Sequence, residues 1–123
     1  MAAFRYIDDF NIKDTYKFIR TIPSTPDDVI IAEAWWTVKT DETLPDTEAL
    51  FSLCITPTLS SSGIINNYTD LSSRLTFTAQ PTDSIMMDPL TTYYYDIQIK
   101  LANDEVYTVE QGKLFTGRTV NHS

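Results

Sequence analysis

The chain has 123 residues, is 42% hydrophobic and carries a formal net charge of −8 at pH 7. That length suits one domain, residues 1–123, able to bury about two-thirds of its unfolded surface. The acidic balance argues against a grip on DNA or RNA, where basic side chains supply most of the affinity.

No segment reads as a membrane span, because the longest aliphatic run, Val29-Ile30-Ile31-Ala32, is far short of roughly 20 residues. The first five residues lack the apolar core of a secretory signal, so a cytosolic site of synthesis is expected. A first strand is predicted near residues 5–12 and a second over 15–22, with Asp14 near the break. Residues 1–9 include Phe4 and Tyr6 and have two readings. They form either the first strand of the chain's own sheet, the commoner outcome for a terminus, or an arm added to a neighbour's sheet edge. Pro23 to Asp28 is a firm turn, since proline pre-sets its backbone angle and Ser and Asp bond locally.

Residues 29–40 alternate clearly. Ile30, Ala32, Ala34, Trp36 and Val38 share one face, and Ile31, Glu33, Trp35, Thr37 and Lys39 the other. An acidic loop with Pro45 follows, then a strand over 50–56 ended by Pro57. The region from Ser60 to Asp70 carries no clear pattern. Leu75, Phe77 and Ala79 point inward from a strand over 74–79, and one helical turn is expected through Ile85-Met86-Met87.

The strongest signal is the run from Tyr93 to Leu101, where Tyr93, Tyr95, Ile97, Ile99 and Leu101 recur at period two. Ala102–Glu105 then turns the chain into a partner strand beginning at Val106, an antiparallel hairpin. Val109 and Leu114 have opposite parity, so if both point to the core an extra residue must be absorbed between them, with Gly112 the expected bulge. Residues 119–123 are expected to fray. The whole pattern predicts an all-β, antiparallel sandwich of about seven or eight strands with at most one short helical turn.

Little in the chain supports catalysis. The one histidine, His122, is the second-last residue, a poor place to hold a general base. Cys54 therefore lacks an imidazole partner, and a lone thiol within a strand reads as a small buried apolar group. No internal disulfide can form, in keeping with a reducing compartment. There is no glycine-rich phosphate loop and no set of Cys and His ligands for zinc. Asp41, Glu42, Asp46 and Glu48 lack the spacing of a calcium loop and read as a solvated surface. No catalytic residue, metal or cofactor is expected, and the triplets at Asn67 and Asn121 lack the secretory context for glycosylation.

Aromatic residues on the polar faces remain. If Trp36 faces inward, Trp35 faces outward beside Glu33 and Thr37, and Tyr94 shares its face with Asp96 and Gln98. Such rings can be covered by a loop of their own chain, anchor a neighbouring subunit, or form a sugar-stacking platform. Phe4, Tyr6, Trp35 and Tyr94 are the candidate subunit-interface residues.

Several segments in order carry a resemblance: residues 10–15, Ile31-Ala32-Glu33-Ala34-Trp35-Trp36-Thr37-Val38-Lys39, Arg74-Leu75-Thr76-Phe77, Tyr93-Tyr94-Tyr95-Asp96-Ile97-Gln98 and residues 107–114. Together they resemble the immunoglobulin-like domain at the N-terminus of upper-baseplate proteins of tailed bacteriophages, and related short virion proteins. In that group a Tyr-x-Tyr-Asp strand pairs with a strand ending in Gly. The chain departs from the pattern at Asn103-Asp104-Glu105, where a Gly-containing turn is common, and no C-terminal fibre or receptor-binding extension is expected.

The resemblance implies an immunoglobulin-like fold and a non-enzymatic virion component, made in the host bacterial cytoplasm. A capsid decoration (cement) protein bound to the major capsid protein in many copies is the first expectation. A tail or baseplate adaptor is the alternative, and a carbohydrate-binding module the alternative of a different class. No nucleic acid or membrane partner is expected.

Overall fold

Period-two alternation rich in β-branched and aromatic side chains builds half-buried strands. The computed structural model describes residues 3–10, 15–23, 25, 29–41, 43, 49–67, 73–83 and 87–116, with the side chains of Ala3, Phe4, Asp8 and Asp9 outside that description. Its strands are β1 (Ala3–Phe10), β2 (Tyr16–Ile22), β3 (Ile31–Lys39), β4 (Phe51–Ile55), β5 (Gly63–Asn67), β6 (Ser73–Ala79), β7 (Thr92–Leu101) and β8 (Val106–Thr116). None of the described residues is helical. Of the helical turn expected at 85–87, only Met87 is described, and it is buried and not helical, while the end of the first predicted strand at 11–12 and the tail at 119–123 fall outside the described residues.

The strands form a five-stranded sheet, β1-β8-β7-β3-β4, facing a three-stranded sheet, β2-β6-β5. Neighbours are antiparallel except β1 and β8, which run parallel from Ala3 opposite Glu110 to Phe10 opposite Thr116. In an immunoglobulin-type sandwich, B, E and D occupy one sheet and G, F and C the other. Here β2, β6 and β5 hold the first three places and β8, β7 and β3 the second three, with β4 added beside β3. The chain is an all-β, two-sheet sandwich whose strand order matches that arrangement.

Its core explains how that fold stands without a disulfide. Trp36 is fully buried on β3, with the rings of Phe18, Phe51, Phe77 and Phe10 at 4.8, 5.4, 6.0 and 6.0 Å. In antibody domains a tryptophan on this strand packs against a B–F disulfide. Here Phe18 on β2 and Tyr95 on β7 meet edge to face at 6.1 Å, an aromatic contact worth about 0.5–1.5 kcal/mol beyond its buried area. Two residues earlier, the Tyr93 hydroxyl accepts the Asp88 N–H at 2.7 Å and ties the preceding corner to β7, as a tyrosine corner does. Thr116 closes the same end, its hydroxyl donating to Asp88 O at 2.7 Å and accepting the Thr91 N–H at 2.8 Å.

Three expectations need correction. On β3 the inward residue is Ile31, while Ile30 is exposed. The register slips between Ile31 and Glu33, so Ala32 is an extra residue and the alternation changes phase there. On β8 the extra residue is Val109, because Ile97 pairs with Glu110 and Gln98 with Thr108. Gly112 instead lies in regular pairing opposite Arg5, where a Cβ would stand 1.7 Å from the Arg5 carbonyl oxygen. That glycine answers the close approach of β1. Finally, Cys54 is exposed, because Phe51, Leu53 and Ile55 take the inward positions of β4.

Two details lay beyond the sequence patterns. The patternless region contains β5, with Ile65 buried. The β7–β8 turn uses Asp104 at φ 71° where glycine is usual, a conformation that aspartate tolerates better than most residues.

Candidate functional site

The outward positions of the five-stranded sheet collect the aromatic residues singled out from the sequence. Tyr94 lies opposite Lys113 on β8, and Lys113 lies opposite Tyr6 on β1. Tyr6 is 55% exposed and stacks on Phe115 at 5.9 Å with an interplanar angle of 18°. The Lys113 ammonium stands 6.0 Å from the centre of the Tyr94 ring, at the outer limit of a cation–π contact. Tyr6, Phe115, Lys113 and Tyr94 thus form one patch across β1, β8 and β7. Phe4 pairs with Gln111 on the same edge strand, and its side chain is outside the described residues.

Trp35 stands apart from this patch. It pairs with Gln98 on one side and Cys54 on the other. That position is four residues farther along β7 than Tyr94, roughly 13 Å at about 3.3 Å per residue. Here the face sinks into a depression of about 380 Å³ lined by Trp35, Thr37, Ser52, Gln98 and Val106. The Thr37 and Ser52 hydroxyls are 3.0 Å apart. Opposite Trp35 on β4, the Cys54 thiol donates to Glu33 Oε2 at 3.9 Å. Burial, then the Glu33 charge, push the thiol's pKa up, so the less nucleophilic protonated form dominates.

The inner face holds a polar cluster that the sequence reading missed. Glu110 is buried on β8, where Arg20 Nε of β2 donates to its Oε1 at 2.7 Å and the Tyr95 hydroxyl donates to its Oε2 at 2.5 Å. Arg5 approaches the same Oε1 at 3.6 Å, and the Arg20 guanidinium lies 4.1 Å over the Phe18 ring. Burial works against the Arg20 charge, yet Glu110 outweighs it and raises the arginine's pKa. Burial, reinforced by Glu110, also raises the Tyr95 pKa above that of an ordinary phenol. Each carboxylate oxygen is held by a donor, so the group joins the two sheets. The parity conflict around Val109 was the available signal: a bulge at that residue turns Glu110 inward.

Asn67 also has a tertiary role. Its Oδ1 accepts the Ile31 N–H at 3.0 Å and its Nδ2 donates to Ile31 O at 3.1 Å, joining β5 to the start of β3. At the head of the acidic loop, Asp41 Oδ1 accepts the Thr43 N–H and hydroxyl at 3.0 and 2.9 Å, which lowers the carboxyl's pKa. Among the described residues no group of three or more His, Cys, Asp or Glu side chains is arranged to hold a metal ion. None of the protein-family models and none of the curated proteins compared with the chain matches it.

Proposed function

We propose that this protein is a non-enzymatic structural subunit of a tailed-bacteriophage particle, docking through the outer face of its five-stranded sheet. The observation that carries the reading is the patch of Tyr6, Phe115, Lys113 and Tyr94, in which rings from three strands lie together on an open sheet face. Exposed tyrosine and phenylalanine rings suit an interface centre, where aromatic residues are enriched. Lys113 and Lys100, the latter 3.6 Å from Asp104, lie at outward positions of this face of a chain with net charge −8, which lessens repulsion against an acidic partner.

The resemblance of the order of sequence segments, and of the Tyr-x-Tyr-Asp segment, to phage immunoglobulin-like domains directs the reading to the virion, and first to capsid decoration. A decoration subunit that binds the assembled shell in preference to its free components stabilises it by mass action. A tail or baseplate adaptor is the alternative placement.

Co-sedimentation with purified particles of the phage encoding the chain tests the proposal. A copy number comparable to that of the shell protein is expected for decoration. A few copies per particle would move the protein to the tail, and its absence from particles would sink the virion reading. A Tyr6→Ser/Tyr94→Ser variant is expected to keep its melting temperature within a few degrees and lose most particle binding, since central interface aromatics carry about 2 kcal/mol or more each.

A further inference from the structure

The depression beside Trp35 is distinct from the Tyr6–Tyr94 patch, and its lining has its own chemistry. Trp35 and Val106 supply apolar surface, while Thr37, Ser52 and Gln98 supply hydroxyl and amide groups. Its volume of about 380 Å³ falls near the lower end of small-molecule sites, which span about 300–1,000 Å³. None of the five lining residues is charged, although the chain has a net charge of −8. An ionised ligand would find no counter-charge in the lining.

Thr37 is only 4% exposed, so Ser52 and Gln98 are the polar groups best placed to serve a ligand. Thr37 and Ser52 share one hydrogen between their oxygens, which leaves a second hydroxyl hydrogen and further lone pairs. Gln98 Nε2 reaches Thr108 Oγ1 only at 3.4 Å, longer than the usual range. The amide can turn toward another partner at small cost. Trp35 presents a half-buried indole, whose electron-rich face attracts weakly positive C–H groups. A flat aromatic ligand would stack there but leave the hydroxyls and the amide unpaired, which is costly once water is displaced. A molecule with a C–H face and a rim of hydroxyls satisfies both parts of the lining.

We infer that this depression binds a neutral pyranose unit of a glycan, its C–H face against Trp35 and its hydroxyls toward Gln98 and Ser52. The inference goes beyond the docking role and stands independently of it. The test is a titration of the full chain with glucose, N-acetylglucosamine and their 1,4-linked disaccharides, read by backbone amide chemical shifts and tryptophan fluorescence. Saturable shifts clustered on β3, β4 and β7 around Trp35 are expected with at least one of these sugars. Trp35→Ala should weaken binding by about tenfold or more. Gln98→Ala, which leaves the indole in place, should weaken it several-fold at an unchanged melting temperature.

The inference is overturned if none of the sugars gives a saturable response, or if binding is the same in Trp35→Ala and Gln98→Ala as in the parent. The Tyr6→Ser/Tyr94→Ser variant should still bind sugar while losing particle co-sedimentation. The two readings therefore fail separately.

Discussion

Tyr95 shows how much one position can carry. Its ring meets Phe18 at the place where antibody domains have half of a disulfide, and its hydroxyl donates to the buried Glu110. Burial and the Glu110 charge both favour the neutral phenol, so its folded-state pKa lies above the unfolded value. The resulting contribution to stability is fully present below the unfolded pKa of about 10 and is lost as pH rises beyond it. Urea unfolding of the parent should therefore show stability falling above about pH 10. Tyr95→Phe should cost about 1–2 kcal/mol at neutral pH, where Glu110 loses one donor, and should flatten the alkaline decline. An equally steep decline in the variant would remove Tyr95 as its source.

At the level of the element, β8 is the instructive strand. Its outer part continues the hairpin with β7, and its inner part also pairs in parallel with β1. Val109 is the surplus residue between two stretches of regular pairing, so deleting it joins them without changing either register. A folded protein is expected, less stable by about 1–2 kcal/mol for the lost burial of a half-buried valine. Deleting Gln111 is a different matter. It shifts every later residue by one and moves the only glycine of the strand away from Arg5, bringing a side chain toward that carbonyl. Circular dichroism and urea titration should show loss of the native fold for that deletion. Equal tolerance of both deletions would contradict the assigned bulge.

At the level of the whole molecule, both sheets converge on Trp36. Five aromatic rings from β1, β2, β4 and β6 lie within 6.3 Å of it, centre to centre. Its indole N–H is buried with no hydrogen-bond partner, a penalty of about 1–3 kcal/mol that the surrounding packing offsets. Trp36→Ala is expected to cost about 3–5 kcal/mol. That is a large share of the roughly 5–15 kcal/mol that holds a domain together. Thermal unfolding followed by near-ultraviolet circular dichroism would reveal it, and a loss under 1 kcal/mol would mean that the centre of the core lies elsewhere.

Local alternation by itself determined that the chain is all-β, that β7 sends Tyr93, Tyr95, Ile97, Ile99 and Leu101 inward, and that Trp36 and Trp35 face opposite ways. Those properties follow from the two-residue repeat of an extended backbone, which neighbours in sequence already define. Register and sheet order depend on partners far along the chain, and only the tertiary structure decided them. It placed the surplus residues at Ala32 and Val109, turned Glu110 toward Arg20 ninety positions away, and left Cys54 outside. It also brought Tyr6 and Tyr94 onto one patch while setting Trp35 beside a depression of its own. Pairing between distant strands sets those distances, and alternation within a single strand carries no record of it.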